Sequence, residues 1–269
     1  MNKLFYKLMC MVLSSMFLFG TATAFANTIT IGSGLADWGI SNPSNGFSTL
    51  DSVDHPVTGI SNGVWYWEEK GAKEPWGYVG PEYGGYAYDI QGLYFTYDNT
   101  NLYFAAILGM PPGGFNGGLW NGTSWLTGEH NTIGDIALSL DGNKSNYEYA
   151  VKTLGPNAGN LYSAASWIAA TDAPASSPAL LNAGNFASPG SLTYEALAGV
   201  TNPDGTPVYY IESKIARTSF TNGPLDIHLT ETCGNDVADM HVQVPEPATI
   251  LLFGIGLLGV GIMRKKING

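Results

Sequence analysis

A group of aromatic side chains between residues 65 and 83 has the type and spacing that sugar recognition requires. They stand among Gly, Pro and Glu residues and consist of Trp65, Trp67, Trp76, Tyr78 and Tyr83. An exposed aromatic ring gives a sugar a flat apolar platform, while nearby carboxylates and amides hold its hydroxyl groups. Trp65 and Trp67 are two residues apart, so on a strand they share one face. The pattern predicts a glycan platform; the alternative is that these rings fill the core.

A second group of candidate ligands surrounds a tight turn. Asp135, Asp141 and Asn143 supply the hard oxygen atoms that Ca²⁺ prefers. The sequence has no Asp-x-Asp-x-Asp-Gly loop, however, and carboxylates at turns commonly accept hydrogen bonds from backbone amides instead. Calcium is therefore a candidate ligand, and no other cofactor is predicted.

Catalytic signatures are missing from the sequence. It contains neither a Gly-x-Ser-x-Gly elbow nor a His-Glu-x-x-His motif. The histidines are scattered, at His55, His130, His228 and His241. The last two could flank Cys233 in space, which would make a thiolate or metal arrangement. Glu68 and Glu69 point to opposite faces of a strand, which does not suit the paired acids of a glycosidase. We expect no enzymatic activity.

The amino terminus has the form of an export signal. Lysines precede the apolar residues 8–19, and Ala24-Phe25-Ala26 follows. A basic start, an apolar centre and an A-x-A site are typical of a secretory signal peptide. We therefore expect signal peptidase to cleave after Ala26, so that residues 1–26 are removed.

Charge and cysteine content limit the function of the exported part. The chain has 11 basic and 22 acidic residues, of which residues 27–244 keep 6 and 21, a net charge of −15. Nucleic acid would repel so acidic a body. Cys233 is the only cysteine left once the signal is removed, which excludes an internal disulfide.

Two hairpins are the clearest structural signals. In the first, aromatic and β-branched residues at 88–97 and 102–108 flank an Asx-rich turn at 98–101. In the second, residues 135–140 lead through Asp141-Gly142 into residues 147–152. Asp-Gly is favoured where both turn residues need positive φ.

Further strands are expected on both sides of these hairpins. Their patterns lie at residues 28–31, 59–67, 159–168, 208–215, 225–230 and 237–242, whereas residues 169–190 are expected to form a long loop. Short strands separated by turns, without amphipathic helices, indicate an all-β fold. We predict a single antiparallel β-sandwich of jelly-roll type over residues 27–243.

The last twenty-six residues have three parts. Pro245-Glu246-Pro247 is followed by the apolar residues 250–263 and then by Arg264-Lys265-Lys266. The prolines keep the first part extended, and the apolar part can form a helix that enters a bilayer with its cations at the cytoplasmic face. At ~1.5 Å per residue, such a helix is shorter than the ~30 Å of hydrocarbon. We therefore expect the anchor to be transient.

This tail, residues 244–269, resembles the PEP-CTERM sorting signal. The resemblance implies recognition and cleavage near Pro245, Glu246 and Pro247 by an exosortase, after transient insertion into the inner membrane of a Gram-negative bacterium. It also implies that the mature protein resides at the cell surface or in the extracellular matrix. An ordinary single-span tail anchor is the alternative.

The body resembles a known family at its first hairpin, and residues 134–141 fit the same style. Residues 92–104, which end in Asn101-Leu102-Tyr103-Phe104, resemble a hairpin of family-nine carbohydrate-binding and related β-sandwich domains. The resemblance implies a non-catalytic protein that binds glycan within an exopolysaccharide matrix. A secreted carbohydrate-active enzyme and a purely structural, glycosylated coat protein are the alternatives.

Overall fold

A computed structural model describes most of the central part of the chain. It covers residues 29–40, 56–69, 86–120, 125–143, 146–170, 177–202, 204–217, 220, 223–234 and 236–244. Nearly all of its regular structure is antiparallel β-strand, in two six-stranded sheets and one two-stranded ribbon. The all-β prediction is confirmed.

Sheet 1 combines a four-stranded meander with a later hairpin. Its strands, in spatial order, are β1 (Pro56–Ser61), β2 (Val64–Glu69), β3 (Ile90–Tyr97), β4 (Asn101–Leu108), β12 (Pro207–Ala216) and β11 (Gly190–Thr201). The first predicted hairpin is β3–β4. Asp98 closes it by accepting hydrogen bonds from the amides of Thr100 and Asn101 and from the Tyr103 hydroxyl, at 2.6–2.7 Å.

Sheet 2 is built in the same way. Its strands, in spatial order, are β10 (Pro178–Ser188), β9 (Leu161–Ala169), β8 (Tyr149–Val151), β7 (Ile136–Ser139), β13 (Gly223–Thr230) and β14 (Val237–Val244). Strands β5 (Phe115–Trp120) and β6 (Trp125–Asn131) form the separate ribbon. Each sheet thus receives its last two strands from a hairpin formed late in the chain.

The main core lies between the two sheets. It is filled by alternate residues of the central strands, among them Phe95, Phe104 and Ile211 from sheet 1 and Leu138 and Ile227 from sheet 2, all at most 1% exposed. At about 25 cal/mol per Å² of apolar area, this burial is the main force that holds the sheets together. Two packed antiparallel sheets make the body a β-sandwich.

A second core covers the outer face of sheet 1. Residues 29–40 lie across this face and bury Ile29, Leu35 and Trp38 against Tyr94 and Ile107. The indole of Trp38 belongs to the last residue of a short 3₁₀ helix, Leu35–Trp38. Both faces of sheet 1 are therefore apolar, which explains why β3 is buried at seven successive positions.

Three predictions of local structure are wrong. Ile29 and Thr30 are not in a strand, because they pack over sheet 1 instead of pairing with its edge. Asp141-Gly142 does not form a two-residue turn: the β7–β8 ladder ends at Leu138 and Tyr149, so the connection is longer. Residues 169–190 are expected from the sequence to form a loop, but they contain β10. Pro178 is tolerated there because it is the first residue of an edge strand, where no ladder hydrogen bond is lost.

The two ends of the chain lie outside the described residues. These include the signal peptide with Ala24 and Ala26 and the predicted carboxyl-terminal helix with Pro245-Glu246-Pro247. Among the residues that the structure does describe, no helix has the length and apolar character needed to cross a bilayer.

Candidate functional site on the outer face of sheet 2

The outer face of sheet 2 carries two Asp–His pairs side by side on β13 and β14. The interior face of β13 holds Leu225, Ile227 and Leu229, so the residues between them point away from the core. The ladder places His228 opposite Asp239 and Asp226 opposite His241. Each pair is hydrogen-bonded, with Nδ1 of His228 2.8 Å from Asp239 Oδ1 and Nδ1 of His241 2.9 Å from Asp226 Oδ1.

The two pairs differ in their exposure to solvent. The side chain of His228 is 4% exposed and its partner Asp239 is 38% exposed, whereas the side chain of His241 is 51% exposed and its partner Asp226 is 3% exposed. The His241–Asp226 pair thus presents its imidazole to solvent, while the His228–Asp239 pair has its imidazole covered by the protein.

Two segments cover His228. The ring of Tyr147 lies 5.3 Å from the imidazole, and Trp167 fixes the backbone there by donating from Nε1 to the Tyr147 carbonyl at 2.9 Å. Ser177, the residue before β10, places its Oγ 3.2 Å from His228 Nε2. The result is a continuous hydrogen-bonded chain of Ser177, His228 and Asp239.

The protonation pattern of this chain follows from its partners. A carboxylate can only accept hydrogen bonds, so Nδ1 of His228 must donate to Asp239. In the neutral ring Nε2 then has a free lone pair and accepts from the Ser177 hydroxyl. Burial, followed by the negative charges of Asp239 and Asp226, raises the pKa of the neighbouring Tyr147, which therefore stays a neutral phenol.

A buried ion pair holds the start of β10 over the sheet. Asp135 is fully buried and accepts from Lys152 Nζ at 2.8 Å and from the amides of Thr153 and Leu181, each at 2.9 Å. The Asp135 amide donates in turn to the Ala179 carbonyl at 2.8 Å. These hydrogen bonds fix residues 179–181 beside β7, and this places Ser177, two residues before Ala179, next to His228.

One atom near the site lacks a partner. Asp226 Oδ2 is buried and has no hydrogen-bond partner. Asp226 and His228 are two residues apart on β13, so their side chains emerge on the same face roughly 7 Å apart. A buried acceptor without a donor is uncommon in native proteins and is normally completed by water or a ligand.

The predicted glycan platform is only partly described, and the described part lies in the core. Trp65 and Trp67 do share one face of β2, but that face is the sandwich interior: Trp67 is 6% exposed, and Trp65 packs against Phe95 and Tyr97 with its ring tilted to both. A Trp67 ring packed between two sheets cannot receive a sugar, so its assignment to the platform is wrong. The other platform residues, Trp76, Tyr78 and Tyr83, lie outside the described residues.

The candidate calcium ligands are not brought together. Asp135 and Asp141 stand at opposite ends of β7, about 20 Å apart along an extended chain. Asp135 is occupied by Lys152, and Asp141 accepts from the Asn143 amide at 2.8 Å in the manner of a turn. Within the described residues no group of three or more His, Cys, Asp or Glu side chains could hold a metal ion.

The structure also separates the cysteine from the histidines. Cys233 is buried in the main core, while His228 and His241 lie on the outer face of sheet 2. Sequence reasoning missed Ser177, Asp239 and Tyr147. A signal for Asp239 was present, because the tripeptide Asp-x-His occurs twice, at 226–228 and 239–241.

The strand that carries Asp239 leads directly into the carboxyl-terminal tail. Residues 243–265 match a known family model, the PEP-CTERM protein-sorting motif. The chain carries a PEP-CTERM sorting signal. The motif begins at Gln243, inside β14, so it is continuous with the folded body. No curated protein and no solved structure matches the chain.

The PEP-CTERM motif defines the destination of the protein. A chain with this motif is exported and directed to the cell surface, with exosortase as its processing partner. The resemblance on which the sequence prediction depended is confirmed for the tail.

Proposed function

We propose that the mature protein is released from the inner membrane by exosortase and works in the extracellular polysaccharide matrix, where it binds glycan. The main support for this proposal is the PEP-CTERM motif at residues 243–265, which is joined to β14 without a spacer. The net charge of −15 over residues 27–244 supports a role among neutral or cation-bridged polymers and disfavours nucleic acid.

The aromatic residues between β2 and β3 are the proposed glycan contacts. With Trp67 in the core, the candidates that remain are Trp76, Tyr78 and Tyr83. Their neighbours include the carboxylates of Glu74 and Glu82, which could accept from sugar hydroxyl groups.

Two measurements test the proposal. The intact mass of protein recovered from the surface of an exosortase-bearing host should equal that of a chain that starts at Asn27 and ends near Pro247. A mass that includes Arg264-Lys265-Lys266 would refute processing. For glycan binding, Trp76→Ala should abolish retention on matrix polysaccharide, while Phe186→Ala, at an exposed aromatic of β10, should leave it unchanged. Equal retention of both variants would refute the platform.

A further inference from the structure

The hydrogen-bonded chain of Ser177, His228 and Asp239 has the order that a serine nucleophile requires. Ser177 Oγ lies 3.2 Å from His228 Nε2, and His228 Nδ1 lies 2.8 Å from Asp239 Oδ1. Such an array is recognised by geometry and not by position in the sequence, since it occurs on unrelated folds in different chain orders. We propose that these three residues hydrolyse carboxylic esters, an activity beyond the proposed binding of glycan.

Each residue has a distinct role in this proposal. Ser177 is the nucleophile, and His228 is the base that takes its proton, because Nε2 is the lone-pair nitrogen. Asp239 is a positioning residue: it fixes the tautomer of His228 and stabilises the imidazolium that forms during the reaction. The Tyr147 ring, tilted by 40° to the imidazole with the ring centres 5.3 Å apart, restricts the movement of the imidazole.

The surroundings favour this chemistry over simple hydrogen bonding. His228 is 3% exposed, so its interactions act in a medium of low dielectric constant and are stronger than in water. Ser177 is half-buried, so the residue is partly accessible from solvent. The ion pair of Asp135 and Lys152 anchors the adjacent backbone, as preorganisation of a nucleophile demands.

The bonds and protons of the reaction balance without any further reagent than water. Ser177 Oγ bonds to the ester carbonyl carbon as its proton moves to His228 Nε2. The carbon–oxygen bond to the alcohol then breaks, and the alcohol leaves with that proton. Water next attacks the acyl carbon and gives a proton to Nε2. Nε2 then passes this proton to Ser177 Oγ as the bond between Oγ and the acyl carbon breaks, and the carboxylic acid departs.

Labelling with a fluorophosphonate tests the nucleophile directly. The full-length chain, expressed with both of its sorting ends, is treated with the reagent and the labelled peptide is identified by mass spectrometry. We expect the label on Ser177 in the wild type and in Ser166→Ala, a matched change at a serine of β9 whose Oγ reaches only the Ala183 carbonyl. His228→Gln should slow labelling about 100-fold or more, the usual contribution of a general base.

Hydrolysis of p-nitrophenyl acetate tests the turnover and the role of Asp239. Ser177→Ala should remove the activity while circular dichroism stays unchanged, and Asp239→Asn should lower the rate about 100-fold or more and alter its pH profile. An unlabelled Ser177 in folded wild-type protein would overturn the proposal, even if Ser177→Ala failed to fold. So would equal turnover by Ser177→Ala, or a pH profile that Asp239→Asn leaves unchanged.

Discussion

Trp38 allows the second core to be tested at a single side chain. Its indole is 2% exposed on the outer face of sheet 1, and its Nε1 donates to Glu212 Oε1 at 2.8 Å. Glu212 is fully buried and also accepts from the Gly32 amide at 2.7 Å. The indole therefore contributes both apolar packing and a hydrogen bond to a buried carboxylate.

The two contributions can be separated by two substitutions. Trp38→Phe keeps a ring but leaves Glu212 Oε1 without its donor, which costs about 1–3 kcal/mol of the free energy of unfolding. Trp38→Ala also leaves a cavity, and the loss of a buried aromatic costs about 3–5 kcal/mol. Since a domain of this kind is stable by about 5–15 kcal/mol, Trp38→Ala should remove a large part of its stability.

Urea unfolding of the mature protein at pH 7 measures both costs. Phe186→Ala, at a side chain 58% exposed on β10, is the matched control and should change the midpoint little. If Trp38→Phe and Trp38→Ala lose the same free energy, packing of the indole contributes nothing. If both lose less than about 1 kcal/mol, residues 29–40 do not hold the outer face of sheet 1.

The pH dependence gives an independent check of the same contact. Burial, only partly offset by the hydrogen bonds from Trp38 and Gly32, raises the pKa of Glu212 above its ordinary value of 4.5. A group whose folded pKa is raised stabilises the fold fully below its unfolded pKa and loses that contribution as pH rises through the folded pKa. Trp38→Phe removes a donor to the charged form, so its stability should fall more steeply with rising pH than that of the wild type.

Three further changes test other parts of the fold. Burial and the charge of Asp236 raise the pKa of Glu231 well above normal. Glu231→Gln should therefore be more stable than the wild type at pH 7, and this difference should disappear below about pH 4.5. Urea unfolding measures both. Partial burial raises the pKa of Asp98, but its hydrogen bonds outweigh this effect and lower the pKa to about 2. Asp98→Ala should therefore cost about 1 kcal/mol of the free energy of unfolding at pH 7, and less as the pH falls from 4 to 2. Thermal melts measure this loss. Asp135→Asn leaves Lys152 without its charge partner and should cost about 3 kcal/mol of the free energy of unfolding, whereas Asp141→Asn, at an exposed carboxylate, should change it little. Equal losses would contradict the buried ion pair.

The hairpins of this protein could be predicted because their signals are local. Alternating aromatic and β-branched residues around an Asx-rich turn predict β3–β4, and Asp98 closes that turn as expected. The last hairpin offers a further signal: if the chain reverses around Cys233 and Gly234, the two Asp-x-His tripeptides place each aspartate opposite a histidine. The observed register does this.

Exposure, in contrast, could not be predicted from alternation. If only one face of the sheet were buried, the shared face of Trp65 and Trp67 could be either the core face or the solvent face, and alternation does not say which. Sheet 1 has apolar cover on both faces, since residues 29–40 lie on the outer one. Its strands therefore bury successive residues, and an aromatic residue there indicates core and not a binding platform.

Ser177 was beyond sequence reasoning for a different reason. It is separated from His228 by 51 positions and reaches it only because β10 starts across the outer face of sheet 2. Four register shifts in the β9–β10 ladder and the anchor at Asp135 set that path. None of these features has a local sequence signature, because they depend on contacts between distant strands.

The end of β14 connects the fold to the fate of the protein. The sorting motif starts at Gln243, yet Val244 is 7% exposed, packs in the main core and pairs with Gly223. The last strand therefore has to be folded up to the residue that precedes Pro245. Proline cannot donate a ladder hydrogen bond, which fits the end of β14 at Val244, next to Pro245 in the sequence. The same edge strand carries Asp239. A change that unpairs β14 should therefore impair the proposed ester chemistry.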